Sequence, residues 1–207
     1  MDRGMVLFLG CMLTFTSSWL GLVFAPFNML QNEQPLVDDN TNVAYPRPRQ
    51  GAELEGRQSY IRNGCIYCHS QQVRPSSFGN NTDIIRGWGT RRSVPRDYIY
   101  DKPVMLGTMR TGPDLANVGY RWSADWQHKH LYNPRMMVPG SIMPSFSFLY
   151  ETRRIVGEPS RERLILSGEW QPEAGYEVVP TSEANSLVRY LKSLDQSTDL
   201  PEARENE

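Results

Sequence analysis

Hydrophobic and polar positions divide the chain into stretches of very different character. From Gly4 to Asn32 no residue is charged, and the densest apolar part runs from Met5 to Ala25. About 22 residues at 1.5 Å rise give about 33 Å, which matches a bilayer's hydrocarbon core and predicts a transmembrane helix. Thr14, Thr16, Ser17 and Ser18 interrupt the run, with hydroxyls suited to bond back to the helix or to meet a neighbouring membrane helix. A cleaved signal peptide competes with this reading, because Arg3 precedes the apolar run. The run is long for a signal core, however, and Pro26 follows Ala25 where a cleavage site calls for small residues. A retained anchor over residues 1–32 is expected.

Residues 33–52 predict a linker, since the prolines of Tyr45-Pro46-Arg47-Pro48-Arg49 hold the backbone extended. From Glu53 the pattern turns helical through Leu54, Tyr60 and Ile61. Residues 70–110 mix glycine, proline and aromatic residues without a sustained period and predict loop; Asp125 to Leu131 predicts a short helix. Arg153 to Pro180 is polar and irregular, as expected of a surface excursion. Ala184, Leu187, Val188, Leu191 and Leu194 then follow helical spacing, with Thr181 or Ser182 as the cap. Residues 53–195 thus form one mainly α domain, and residues 196–207 a charged tail.

Length and charge narrow the picture only a little. At 207 residues the chain holds one domain plus an anchor, or at most two small domains. A net charge of −1 provides no field for binding nucleic acid. Of three cysteines, Cys11 lies alone in the apolar run, so no disulfide framework is implied.

The other two cysteines change the reading. Cys65-Ile66-Tyr67-Cys68-His69 is the C-x-x-C-H signature of covalent c-type haem attachment. On a helix, positions i and i+3 share a face, so both thiols reach the two vinyl groups of one porphyrin edge. His69 shares that face and offers a ring nitrogen to iron, while its other ring N–H needs an acceptor. A thioredoxin-like pair lacks a βαβ context. Zinc held by these residues with His128 or His130 fits no common finger spacing, and a disulfide across two residues would be strained. Bacterial haem of this kind is attached outside the cytoplasm. The amino terminus is therefore expected in the cytoplasm of a single-pass inner-membrane protein, with the haem domain on the periplasmic or outer side; the bias of basic residues around the anchor is slight.

Other residues acquire meaning beside that signature. Gly64 leaves room for a porphyrin. Pro113, in Thr111-Gly112-Pro113-Asp114-Leu115, offers a fixed carbonyl to the His69 N–H. Trp126 is expected to pack beside the haem. His128 and His130, two apart, do not share a helical face and read as single satisfied or surface histidines. Met143 sits in the proline-bounded loop Pro139-Gly140-Ser141-Ile142-Met143-Pro144 and is the leading candidate for a thioether sixth ligand; Met136, Met137, Met105 and Met109 are its competitors. Arg86, Arg91, Arg92 and Arg96 form a basic cluster that reads as a solvated or interface face, or more sharply as a contact for haem carboxylates or an acidic partner.

Together these segments resemble the membrane-anchored mono-haem cytochrome c subunit of cbb3-type cytochrome c oxidases. The resemblance rests on Gly56-Arg57, Tyr60-Ile61, Gly64 through Pro75 with its Cys-His-Ser-Gln-Gln-Val-Arg-Pro run, Tyr100 to Pro103 and Arg110 to Ala116. His130-Leu131, Asn133 to Arg135 and Ser141 to Pro144 complete it. The sequence departs from the family over Ser76 to Arg92, and Gln127 stands where a histidine usually follows the tryptophan. The resemblance implies a cytochrome c-like haem domain on a single N-terminal transmembrane helix, one covalent haem c, and Met143 as the sixth ligand. It also implies calcium near a subunit interface, with Ser93 as a contact. The implied role is electron relay from a di-haem cytochrome c subunit or soluble cytochrome to a haem–copper catalytic membrane subunit. Only His128 and His130 remain after His69, too few for a haem–copper centre in this chain. The rival readings are the cytochrome c subunit of a nitric-oxide reductase, set aside on Val73-Arg74-Pro75 and Arg110 to Leu115, and a membrane-tethered haem gas sensor.

Overall fold

The structure, a computed structural model, describes residues 3–37, 42–78, 82–107 and 109–204. It is mainly helical and falls into two compact units, one of Met1–Pro46 with Pro95–Ile99 and one of Arg47–Val94 with Tyr100–Glu207.

The first unit is dominated by an apolar helix over Arg3–Leu30, long enough to cross a membrane. It comprises α1 (Arg3–Trp19), a π-helical turn (Leu20–Phe24) and α2 (Ala25–Leu30). The π turn lies just before Pro26, which has no N–H to continue the regular ladder. Thr14 donates to the Gly10 carbonyl at 2.9 Å and Ser17 to that of Thr14 at 3.0 Å, so these polar residues satisfy themselves within the helix. Two short strands follow, β1 (Leu36–Val37) and β2 (Ala44–Tyr45), paired antiparallel. Tyr45 donates to Asp97 at 2.6 Å, and Arg96 pairs with Glu33 at 2.9 Å.

The second unit is built on the crossing of α3 (Ala52–Arg62) and α8 (Ser182–Lys192). Thr181 caps α8 by accepting from the Ala184 N–H, and Ala184, Leu187, Val188, Tyr190 and Leu191 are buried. Burial of each larger apolar side chain contributes about 1.5–3 kcal/mol. The helices meet at Gly56, where a Cβ would lie 1.9 Å from the Ser186 carbonyl oxygen. Tyr60 and Tyr190 then pack edge to face at 5.4 Å. Between the helices come α4 (Thr82–Ile85), α5 (Val118–Arg121), α6 (Ala124–Tyr132) and α7 (Pro134–Met137).

Two expectations need correction. The stretch Arg153 to Pro180 is not wholly irregular: β3 (Tyr150–Arg154) pairs antiparallel with β4 (Tyr176–Pro180), Tyr150 opposite Pro180 and Arg154 opposite Tyr176. Only Tyr150 of β3 is buried, so its sequence carries no alternation to betray a strand. Nor do residues 196–204 stand off as a charged tail. Leu200 and Ala203 are buried, and Gln196 donates its backbone N–H to Asn117 at 2.8 Å. Residues 205–207 of that tail lie outside the described residues.

Candidate functional site

Gly64 ends α3 by adopting the left-handed conformation (φ 70°), and the chain re-enters as a 3-10 turn over Cys65–Tyr67. In a 3-10 turn residues three apart eclipse, which aligns Cys65 and Cys68. The glycine thus serves the backbone; a Cβ there would meet the Tyr67 ring at 3.1 Å. The Cys68 and His69 N–H groups both donate to the Cys65 carbonyl, at 3.1 and 3.0 Å. Both thiols are free. Cys68 is exposed, whereas Cys65 is half-buried, and burial pushes its thiol up to about 11.

The segment Arg110 to Leu115 is laced to the residues around His69. Gly112 donates its N–H to the Cys68 carbonyl at 2.9 Å, and Leu115 to that of Ser70 at 2.8 Å. Asp114, wholly buried, accepts from the Ser70 hydroxyl at 2.6 Å, the Gln72 N–H at 2.7 Å and the Ala116 N–H at 2.8 Å. Burial raises the pKa of its carboxyl, against those hydrogen bonds and Arg110. Arg110 donates to Ser70, to the Gln72 carbonyl and to Asp83. The consequence is a fixed imidazole. His69 Nδ1 lies 2.7 Å from the Pro113 carbonyl, to which it donates, so Nε2 is the nitrogen left for a metal. The ring lies against Gly112, where a Cβ would come 2.3 Å from His69 Cε1. Burial lowers the His69 pKa and favours the neutral, metal-binding form.

His69, Cys65 and Pro113 line a cavity that is mostly apolar and open at its mouth. Leu115, Val118, Leu131, Leu187 and Leu191 supply its apolar walls. Met143 reaches it from the loop after α7, and among the described methionines it alone is a lining residue. Met105 is buried in the core and Met109 is exposed. One free ring nitrogen, one thioether and the Cys65 thiol on a largely apolar cavity, with the exposed Cys68 three residues on, are a donor set that fits a covalently attached haem.

A comparison with protein families matches residues 24–167 to cytochrome C oxidase, mono-heme subunit/FixO. The chain belongs to this family. No curated protein matches it. As a mono-heme oxidase subunit it carries out electron transfer with one haem, on a mainly helical cytochrome c domain with an N-terminal membrane-span-like helix.

Within this FixO-family chain, some of the other residues singled out in the sequence meet the cavity and some do not. Trp126 lines the cavity, as do Arg121, Trp122, Gln127 and His130. His128 is satisfied by Tyr150, at 3.1 Å from its hydroxyl. His130 is not satisfied: its Nδ1 is buried without a hydrogen-bond partner, as is Gln127 Nε2. Burial, with His69 adding to it, pushes His130 down to about 4. The basic cluster lines no part of the cavity. Arg91 donates to the Thr198 carbonyl at 2.6 Å, Arg92 to that of Glu202, and Arg86 lies over the Trp88 ring at 4.9 Å. Ser93 accepts from the Val73 N–H at 2.8 Å and donates to Gln196 at 2.5 Å. Among the described residues no group of three or more His, Cys, Asp or Glu side chains gathers to hold a metal ion. The importance of Asp114 and Arg110 was visible only as motif letters, since their work is to pair segments about 40 residues apart.

Proposed function

We propose that this subunit relays single electrons through one haem, covalently attached at Cys65 and Cys68, to a haem–copper catalytic subunit in the same membrane. The donor is a di-haem cytochrome c subunit or a soluble cytochrome, and the helix over Arg3–Leu30 anchors the chain in a bacterial inner membrane with the haem domain outside. The observation that carries this reading is the His69–Pro113 contact of 2.7 Å in a cavity that Met143 also lines. Cys65 and Cys68 would hold the haem as thioethers, a linkage that thiol addition to its vinyl groups supplies without an oxidant. The haem supplies a one-electron couple. Pro113 holds His69 in one tautomer, with Nε2 left to hold the iron, and the Met143 thioether would hold it too, a His/Met pair that would favour electron transfer over binding of a diatomic gas. A calcium ion at the subunit interface would need ligands chiefly from the partner, since the Ser93 hydroxyl is already engaged on both sides.

The test is attachment. In full-length chain expressed with the cell's haem-attachment machinery, haem should survive denaturing electrophoresis and acid–acetone extraction. The Cys65→Ala, Cys68→Ala double variant should lose it. Haem that stays bound to the denatured double variant would overturn the reading.

A further inference from the structure

The wall of the cavity formed by α5 and α6 carries donors that the protein leaves unused. Arg121, the last residue of α5, lines the cavity half-buried, and no carboxylate among the described residues forms an ion pair with it. His130, on α6, presents a buried Nδ1 that finds no hydrogen-bond partner among the described residues. Its ring orientation is fixed: it stacks on Trp126 at 4.6 Å and 12°, and Trp126 stacks on Trp122 at 4.3 Å and 11°. Among the described residues no acidic side chain lines the cavity.

A buried donor left without an acceptor is costly, and His130 Nδ1 is one; half-buried Arg121 adds a positive charge to the same wall. Such a wall is tolerated when the occupant brings the acceptors. The occupant must then be anionic at this edge and largely apolar elsewhere, because most of the remaining wall is apolar: Leu115, Val118, Leu131, Leu187 and Leu191 with the Trp122 and Trp126 rings. A haem meets both conditions, since its periphery bears two propionate carboxylates.

We propose that Arg121 and His130 hold the haem propionates, Arg121 as an ion pair and His130 through its Nδ1–H, and that this contact raises the reduction potential of the site. The inference rests on the haem reading above. Its sign follows from charge. Ferric haem carries one positive charge more than ferrous haem, so an uncompensated carboxylate beside it favours the oxidised form. Pairing that carboxylate with a cation removes the preference. Arg121, absent from the basic cluster that the sequence singled out, is thus the arginine that meets the cofactor.

The experiment is a redox titration of the full-length haem-loaded chain in detergent, unaltered and with Arg121→Gln, Arg121→Lys or His130→Phe. Arg121→Gln should shift the reduction equilibrium about tenfold towards the oxidised form, a fall of about 59 mV for one electron. Arg121→Lys should recover most of it. His130→Phe keeps the ring stack, removes the donor, and should also lower the potential, while the iron stays closed to carbon monoxide. Covalent haem whose potential is unmoved by both Arg121→Gln and His130→Phe would overturn the assignment. Opening to carbon monoxide in His130→Phe would also overturn it, by making His130 an iron ligand. Absence of covalent haem from the unaltered chain would instead remove the haem reading, and this inference with it.

Discussion

A methyl group added at Gly112 would lie 2.3 Å from His69 Cε1 and 2.7 Å from Nδ1, so the imidazole cannot keep its place beside an alanine. Gly112→Ala should therefore retain covalent haem, because both cysteines are untouched, but push His69 off the Pro113 carbonyl. Overpacking of this kind costs about 1–3 kcal/mol. The expected signs are a lower melting temperature and a partly high-spin absorption spectrum; a fully low-spin spectrum at unchanged stability would contradict the close fit. Residues such as Cys65, Cys68 and His69 were legible in the sequence because covalent attachment demands one fixed spacing. Arg121 and His130 were not. What marks them is their shared place on the cavity wall, with His130 Nδ1 buried and unpartnered among the described residues, and a sequence records neither. Gly64 was legible as a special position, but its reason is a left-handed turn.

The crossing of α3 and α8 holds the attachment turn against the last helix. At its centre Gly56 faces backbone, the Ser186 carbonyl at 1.9 Å from a would-be Cβ, and the Tyr190 Cβ at 2.8 Å. No rotamer change relieves a clash with backbone. Gly56→Ala gains about 1 kcal/mol of helix propensity, yet separation of the helices should cost up to about 3 kcal/mol. A net loss of about 2 kcal/mol corresponds to roughly 4–8 °C in Tm for a domain of this size. Thermal melts of the haem-loaded chain check this, and a variant as stable as the parent would show that the helices do not meet at Gly56. Helix α8 was readable from its apolar spacing and its threonine cap. The β3–β4 hairpin was not, because its strands lie far apart in sequence and Arg153 and Arg154 mask one of them. The C-terminal segment misled for a related reason: its charges dominate the composition, while Leu200 alone carries the burial of a large side chain.

Taken as a molecule, the chain combines a membrane-span-like helix with a cavity that two residues from distant segments both line, His69 after α3 and Met143 beyond α7. A relay works when both axial positions are filled by protein, because no small molecule then competes for the iron and little rearranges on reduction. A sensor or a catalyst needs one position open. Carbon monoxide distinguishes these designs, since it binds reduced iron only where an axial site is vacant or weakly held. Added to the reduced, haem-loaded, full-length chain in detergent, it should leave the absorption spectrum unshifted, whereas the Met143→Ala variant should bind it. The Met105→Leu, Met109→Leu, Met136→Leu and Met137→Leu variants should behave as the parent does. Binding by the unaltered chain, or a Met143→Ala variant that stays closed while one of the leucine variants opens, would contradict a His69–Met143 relay.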